Sequence, residues 1–230
     1  MLARGIAAIG VLLFAGCTHD PLVVKNVYPG LVPVRAPQGE LTPVLFSAAG
    51  TPAQQGLLYV AMFDAGVAGQ NASLARAAAT PEVAVTRVGE VLYAIDPEVA
   101  PEWSAKRSGL VAVWAGSGYG LRRAGQDMID EISAALTDGS VSDALREYGP
   151  RAIHCTENTL ARAEQVLALG QQVVAGGANA EIEAILPQLD EAATALNNGV
   201  PAPGDEGCGL QQTYRYLGQI GLYAPSYEGV

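Results

Sequence analysis

Residues 160–174 read LARAEQVLALGQQVV, and this stretch decides the fold. Its apolar or small side chains recur at alternating steps of three and four, the spacing of one helix face: Leu160, Ala163, Leu167, Gly170 and Val174. Gly176-Gly177 ends this helix. A second run then repeats the spacing: Ile182, Ile185, Leu189, Ala193 and Leu196. The pattern predicts an antiparallel helical hairpin over 156–198, with a kink or a restart at Pro187 in its second arm.

Two cysteines, Cys155 and Cys208, flank this hairpin. Arms of equal length return the chain to its starting point, so the Pro/Gly-rich loop 200–207 can bring Cys208 to Cys155. In an oxidising compartment such a pair is expected to close, and the bridge would stabilise the fold by about 4 kcal/mol on the chain-entropy model. A catalytic thiol is the alternative, and the pairing argues against it.

The chain between residue 52 and the hairpin also has helical patterns, and its abundant Ala and Leu favour helices. We predict a helix over 57–65 that Gly66, Gly69 and Asn71 break, then a short one over 73–79. Thr80-Pro81 begins the next helix and Asp96-Pro97 stops it. Further helices are predicted over 102–115, from Leu121 to just before Gly139, over 141–148 with an end at Gly149-Pro150, and over 210–222. The sequence therefore predicts an all-α bundle of about seven or eight helices over 52–230.

The segment before residue 52 is rich in proline: Pro21, Pro29, Pro33, Pro37 and Pro43. Proline blocks helices and favours extended neighbours, so residues 17–51 are predicted to form an extended tether. Apolar groups at 22–24 and 31–34 indicate that the tether lies against a surface. That surface is either the protein's own body or a partner's groove.

The N-terminus has the layout of a secretory signal, with Arg4 followed by a short apolar run and small residues. The run is too short for a membrane span. Leu13-Phe14-Ala15-Gly16-Cys17 resembles the lipobox of bacterial lipoproteins, with Phe14 where that family usually has Leu. The resemblance implies a signal peptide over 1–16, cleavage before Cys17, and acyl chains on Cys17 that hold the protein in the membrane. A signal peptide with an unmodified cysteine is the alternative.

In Gram-negative members of that family, Asp directly after the lipidated Cys marks inner-membrane retention. Thr18 occupies this position here, so the resemblance implies the outer membrane, facing the periplasm.

The net charge of −10 is unevenly distributed. Residues 124–230 carry fifteen acidic and four basic side chains, a net charge of −11. An acidic body repels phosphate backbones, which excludes nucleic acid as an expected partner.

Basic residues concentrate around a glycine-rich stretch, Gly116-Ser117-Gly118-Tyr119-Gly120. The candidate anion-binding residues in this region are Lys106, Arg107, Trp114, Tyr119, Arg122 and Arg123. Glycines before a helix can turn backbone N–H groups toward an anion, and arginines add bidentate contacts. Two interpretations stay open. The region is either a site for phosphate, a lipid headgroup or a wall-peptide carboxylate, or a hinge whose arginines pair with the acidic half.

Residues for catalysis or metal binding are scarce. His154 is the only histidine in the body and has no catalytic motif around it, so a structural or surface role is expected. Asp127, Asp130 and Glu131 share one helix face; that arrangement could hold a cation, but a solvated surface is the plainer interpretation. No catalytic residue, metal or cofactor is predicted.

Taken together, these patterns predict a lipoprotein that acts as an interaction or assembly component of an envelope complex rather than as an enzyme. The alternatives are a periplasmic binding protein for a small anionic or lipid ligand and an envelope hydrolase.

Overall fold

A computed structural model describes residues 41–105, 116–138, 141–177 and 182–222, all within one compact unit, Pro33–Val230. The helices are α1 Thr42–Leu45, α2 Leu57–Arg76, α3 Pro81–Ile95, α4 Glu102–Ala105, α5 Leu121–Thr137, α6 Asp143–Gly176, α7 Ile182–Asn198 and α8 Leu210–Leu217. A 3₁₀ turn, Pro52–Gln54, precedes α2, and a π-helical turn, Gly218–Leu222, follows α8. No strand occurs in these ranges, so the all-α prediction is confirmed. Among the helices in these ranges, we find no candidate for a membrane-spanning segment.

Helix α2 lies at the centre, packed against α3, α5, α7 and α8. The predicted break at Gly66 and Gly69 is wrong, because α2 runs unbroken from Leu57 to Arg76. A Cβ on Gly69 would lie 3.6 Å from the carbonyl oxygen of Ala193 on α7. The small residues thus let α7 approach closely, and packing on several sides outweighs the roughly 1 kcal/mol that each helical glycine costs.

Helix α6 is the longest of the described helices, and it joins the predicted segment 141–148 to the first arm of the predicted hairpin. Ser142 caps it by accepting a hydrogen bond from the Leu145 N–H at 3.2 Å. The predicted end at Gly149-Pro150 is wrong, because α6 continues through both residues. An internal proline costs roughly 3 kcal/mol. Here Pro150 is exposed and Gly149 is buried, so tertiary packing holds the helix together. Pro187 is likewise inside a continuous α7, so the chain does not restart there.

The predicted hairpin and disulfide are confirmed. Helices α6 and α7 pack together, and Cys155 is bonded to Cys208 across a separation of 53 residues, with Cα atoms 5.1 Å apart. We call residues 199–209 the closing loop. Arg162 donates to the carbonyl oxygens of Cys208 at 2.7 Å and Gly207 at 3.0 Å, which fastens this loop to α6 as well.

The end of the predicted tether belongs to the folded body. Leu41, Val44 and Leu45 are buried, and α1 packs against α2 and α5. The extended conformation predicted for the tether is therefore wrong at residues Thr42–Leu45, which form α1. Pro43 stands in the first turn of α1, where a proline is tolerated. Residues 1–40, which include Cys17 and the rest of the tether, lie outside the described residues.

Candidate functional site

The stretch 116–120, which we call the glycine loop, leads into α5. Its three glycines have φ of +96° at Gly116, +82° at Gly118 and +90° at Gly120. L-residues with a side chain rarely adopt such φ values. A Cβ on Gly120 would also lie 2.5 Å from Cδ of Pro97. Glycine is therefore required at this position for both backbone and packing reasons.

A buried carboxylate on α2 holds the glycine loop. Asp64 is fully buried and accepts hydrogen bonds from the Ser117 N–H at 2.5 Å, the Ser117 hydroxyl at 2.6 Å and the Gly120 N–H at 3.2 Å. The loop does turn N–H groups toward an anion, as its glycines predict, but that anion is the protein's own Asp64. Sequence reasoning missed this residue. Its signal is a carboxylate among apolar residues on the buried side of a helix.

Beside the glycine loop an open groove of about 570 Å³ lies between the end of α3, the start of α5 and the middle of α6. Its lining residues are Ile95, Asp96, Pro97, Glu98, Gly118, Tyr119, Arg122, Arg123, Gln126, Leu160, Ala161 and Glu164. Three of them are acidic and two are basic. The described part of the groove is therefore not a positively charged surface.

Arg122 connects the three elements around the groove. Its NH1 lies 2.5 Å from Asp96, just after α3, and its Nε lies 2.8 Å from Glu164 on α6. Two carboxylates therefore balance the positive charge of one guanidinium. Arg122 therefore fixes the start of α5 against its two neighbours.

Arg123 and Tyr119 form a second pair at the groove. The Arg123 guanidinium lies 4.4 Å from the centroid of the Tyr119 ring, and its Nε is 3.9 Å from Asp127. The Tyr119 hydroxyl donates to the same carboxylate at 2.5 Å. Partial burial, followed by this hydrogen bond, raises the pKa of Tyr119 above its usual value. The phenol therefore keeps its proton at neutral pH and donates a hydrogen bond to Asp127.

The structure thus brings together three of the six predicted anion-binding residues: Tyr119, Arg122 and Arg123. The other three, Lys106, Arg107 and Trp114, lie outside the described residues. Arg122 and Arg123 pair with acidic side chains, as expected if the region is a hinge whose arginines pair with the acidic half. Asp127 and Asp130 are engaged with Tyr119 and Gln126. Within the described ranges no group of three potential metal ligands occurs.

His154 lies on the exposed side of α6, one residue before the disulfide. Its Nε2 is 3.4 Å from the amide nitrogen of Asn158. The nearby Asp205 is held by Tyr216, whose hydroxyl donates to it, and by Arg151 at 3.0 Å. The hydrogen bond from Tyr216 and the contact with Arg151 lower the pKa of Asp205, although burial opposes them. This cluster fastens the closing loop.

Comparisons of the chain with models of protein families, with curated proteins and with solved structures find no match.

Proposed function

We propose that this chain is an outer-membrane-anchored lipoprotein, on the periplasmic face, whose helical body is an interaction or assembly component of an envelope complex. The observation that carries the proposal is the stretch Leu13-Phe14-Ala15-Gly16-Cys17 behind a basic residue and a short apolar run. Two or three acyl chains on Cys17 would hold the protein durably, whereas one chain binds only marginally. Thr18 supports the outer membrane as the destination.

The cysteine pairing supports a compartment outside the cytoplasm. The chain has three cysteines, and Cys155 and Cys208 are bonded to each other. Disulfides persist in oxidising compartments such as the periplasm. Cys17 is the remaining cysteine, available for acylation.

The anchor is tested by the intact mass of the protein extracted from membranes. We expect a mature chain that begins at Cys17, carries acyl chains and sediments with the outer membrane. The matched variant Cys17→Ser should lose both the added mass and the sedimentation. An unmodified wild-type Cys17 would contradict the anchor.

The interaction role is tested by site-specific photocrosslinking in intact cells. Among the described residues, four exposed positions with large apolar side chains can serve as probe sites: Leu74, Val83, Val99 and Val200. An assembly component should give one discrete adduct from one face of the body, and the adduct should weaken in the Cys17→Ser background. Equal adducts from all positions, or none, would contradict a specific partner.

A second candidate function is the binding of a small ligand, and the groove between α3, α5 and α6 favours it. Its volume of about 570 Å³ is within the range of small-molecule sites, roughly 300–1,000 Å³. For a simple anion, inorganic phosphate should raise the melting temperature of the wild type, and the double variant Arg122→Ala/Arg123→Ala should abolish the rise. An equal response of both proteins would place phosphate elsewhere.

A further inference from the structure

The charged groups that line the groove differ in how fully they are compensated. Asp96 accepts from Arg122 through Oδ2 and from the Glu98 backbone N–H, at 2.9 Å, through Oδ1. Arg122 is bound by two carboxylates, Asp96 and Glu164. These groups satisfy one another and offer little to a ligand.

Glu98 differs from these acidic residues. It is exposed, it lines the groove, and its carboxylate makes no hydrogen bond or ion pair with any described residue. Its backbone is nevertheless fixed, because its N–H donates to Asp96 and the following N–H, of Val99, donates to the Asp96 carbonyl oxygen at 3.2 Å. The groove therefore presents one carboxylate on an ordered backbone.

Arg123 is the corresponding cation on the α5 side. Its side chain is 63% exposed, and its Nε is 3.9 Å from Asp127, a carboxylate that already accepts from Tyr119. A guanidinium has five N–H donors in one plane. The guanidinium lies 4.4 Å from the centroid of the Tyr119 ring and is largely exposed, and such a group can bind a carboxylate with two parallel hydrogen bonds.

Apolar side chains line the groove as well: Ile95, Pro97, Leu160 and Ala161. A simple anion would meet the carboxylates of Glu98 and Glu164. A simple cation would meet the guanidinium of Arg123. A ligand with one positive group, one negative group and an apolar part between them avoids repulsion from both the carboxylates and the guanidinium.

We propose that this groove binds a short peptide with free ends, its carboxylate on Arg123, its ammonium on Glu98 and its apolar part against Leu160. This inference rests on the second candidate function, small-ligand binding, and is independent of anchoring through Cys17.

The test is an NMR titration of the protein with trialanine and its three capped forms: N-acetylated, C-amidated and doubly capped. A hydrogen bond to a charged group contributes about 1.5–3 kcal/mol, so blocking either end should weaken binding about tenfold. Arg123→Gln should weaken trialanine binding and make the C-amidated form bind as well as the free peptide. Glu98→Gln should do the same for the N-acetylated form. The controls Arg215→Gln and Glu157→Gln, both exposed and outside the groove, should change neither preference.

Each other outcome overturns the proposal in a distinguishable way. Equal binding of all four peptides would retain ligand binding and remove the charge assignment. Binding of inorganic phosphate but of no peptide would replace the zwitterionic ligand with an anion. Binding of neither would remove this proposal and the binding of a simple anion as the second candidate function. Arg123 and Glu98 are exposed, so their substitution should leave the fold intact. Unchanged melting temperatures of the variants would check this.

Discussion

Two loops in this molecule do the same structural task by different means. The glycine loop leads into α5 and the closing loop leads into α8, and each contains glycines with positive φ. The glycine loop is held by one buried carboxylate, that of Asp64. The closing loop is held by the Cys155–Cys208 disulfide. The glycine loop is thus held mainly by hydrogen bonds to a buried carboxylate, with one further contact from Tyr119 to Asp127, whereas the closing loop has a covalent link.

The two loops also differ in redundancy. Besides the disulfide, the closing loop is bound through its carbonyl oxygens by Arg162 and Asn158, the latter donating to Asp205 at 3.1 Å and Glu206 at 3.2 Å. In the glycine loop, Asp64 accepts from residues near both ends. A substitution at Asp64 therefore removes three of the hydrogen bonds that hold the glycine loop and leaves the contact of Tyr119 with Asp127, whereas the closing loop retains several contacts after any one loss.

Removal of the disulfide should have the largest effect on stability. For a loop of 53 residues, the chain-entropy model gives a loss of about 4 kcal/mol in the free energy of unfolding for Cys155→Ala/Cys208→Ala. Urea denaturation of the variant, of the oxidised wild type and of the reduced wild type measures this loss. The variant should still fold, because Arg162 and Asn158 keep the closing loop on α6. A loss below about 1 kcal/mol would show that these hydrogen bonds suffice without the bridge.

Asp64→Ala should have the next largest effect, about 3 kcal/mol, because it leaves buried donors of Ser117 and Gly120 without their acceptor. Asp64→Asn should cost less, since one acceptor oxygen remains. The matched control is Asp127→Ala, a more exposed carboxylate that also accepts from this region, with an expected loss below about 1 kcal/mol. Urea denaturation compares the three variants. Equal losses for Asp64→Ala and Asp127→Ala would contradict the fastening role of Asp64.

Matched glycine substitutions compare the backbones of the two loops. Gly120→Ala adds a Cβ 2.5 Å from Pro97 to a residue with φ of +90°. Gly204→Ala, in the closing loop at φ of +58°, meets no atom within 4 Å. Backbone strain alone costs roughly 1–3 kcal/mol, so Gly204→Ala should lose about 1 kcal/mol and Gly120→Ala at least about 2 kcal/mol. Thermal or urea unfolding checks the order, and the reverse order would contradict the packing argument.

The features that sequence could predict carry their signal locally. Thr80-Pro81 begins α3 as expected, and the Thr80 hydroxyl accepts from the Val83 N–H at 3.4 Å. The hairpin follows from helical spacing, and the closing loop follows from two cysteines that need partners. In each case a short stretch of sequence favours one local structure, whichever other elements pack against it.

The features that sequence could not predict depend on which elements meet. Gly66 and Gly69 disfavour a helix in isolation, but in the fold they lie inside α2 where it packs closely against α7. The position of Asp64 among apolar residues signals a buried carboxylate, but its hydrogen-bond donors lie in a loop more than fifty residues away and no local pattern identifies them. The groove likewise combines residues from α3, α5 and α6 that are far apart in sequence.

The smallest expected effect concerns the cluster that supports the closing loop. The Tyr216 hydroxyl donates to Asp205 and, with Arg151, lowers its pKa. The unfolded-state pKa of Asp is about 3.9. A lowered folded-state pKa means that Asp205 stabilises the fold above that value and that this contribution is lost as the pH falls through the folded-state pKa.

Tyr216→Phe removes the largest cause of the lowered pKa. We therefore expect the variant to be less stable than the wild type by about 1 kcal/mol at pH 7, and we expect a smaller difference at a pH below the lowered pKa of Asp205. Urea denaturation at both pH values measures this. The control Tyr148→Phe keeps the ring that stacks on Tyr216, with centroids 6.1 Å apart, and should show no pH-dependent difference. If the loss in Tyr216→Phe were the same at both pH values, the ring contacts rather than the Asp205 charge would hold this end of the closing loop. The disulfide would then be the main link between the closing loop and α6, whereas the glycine loop has no covalent link.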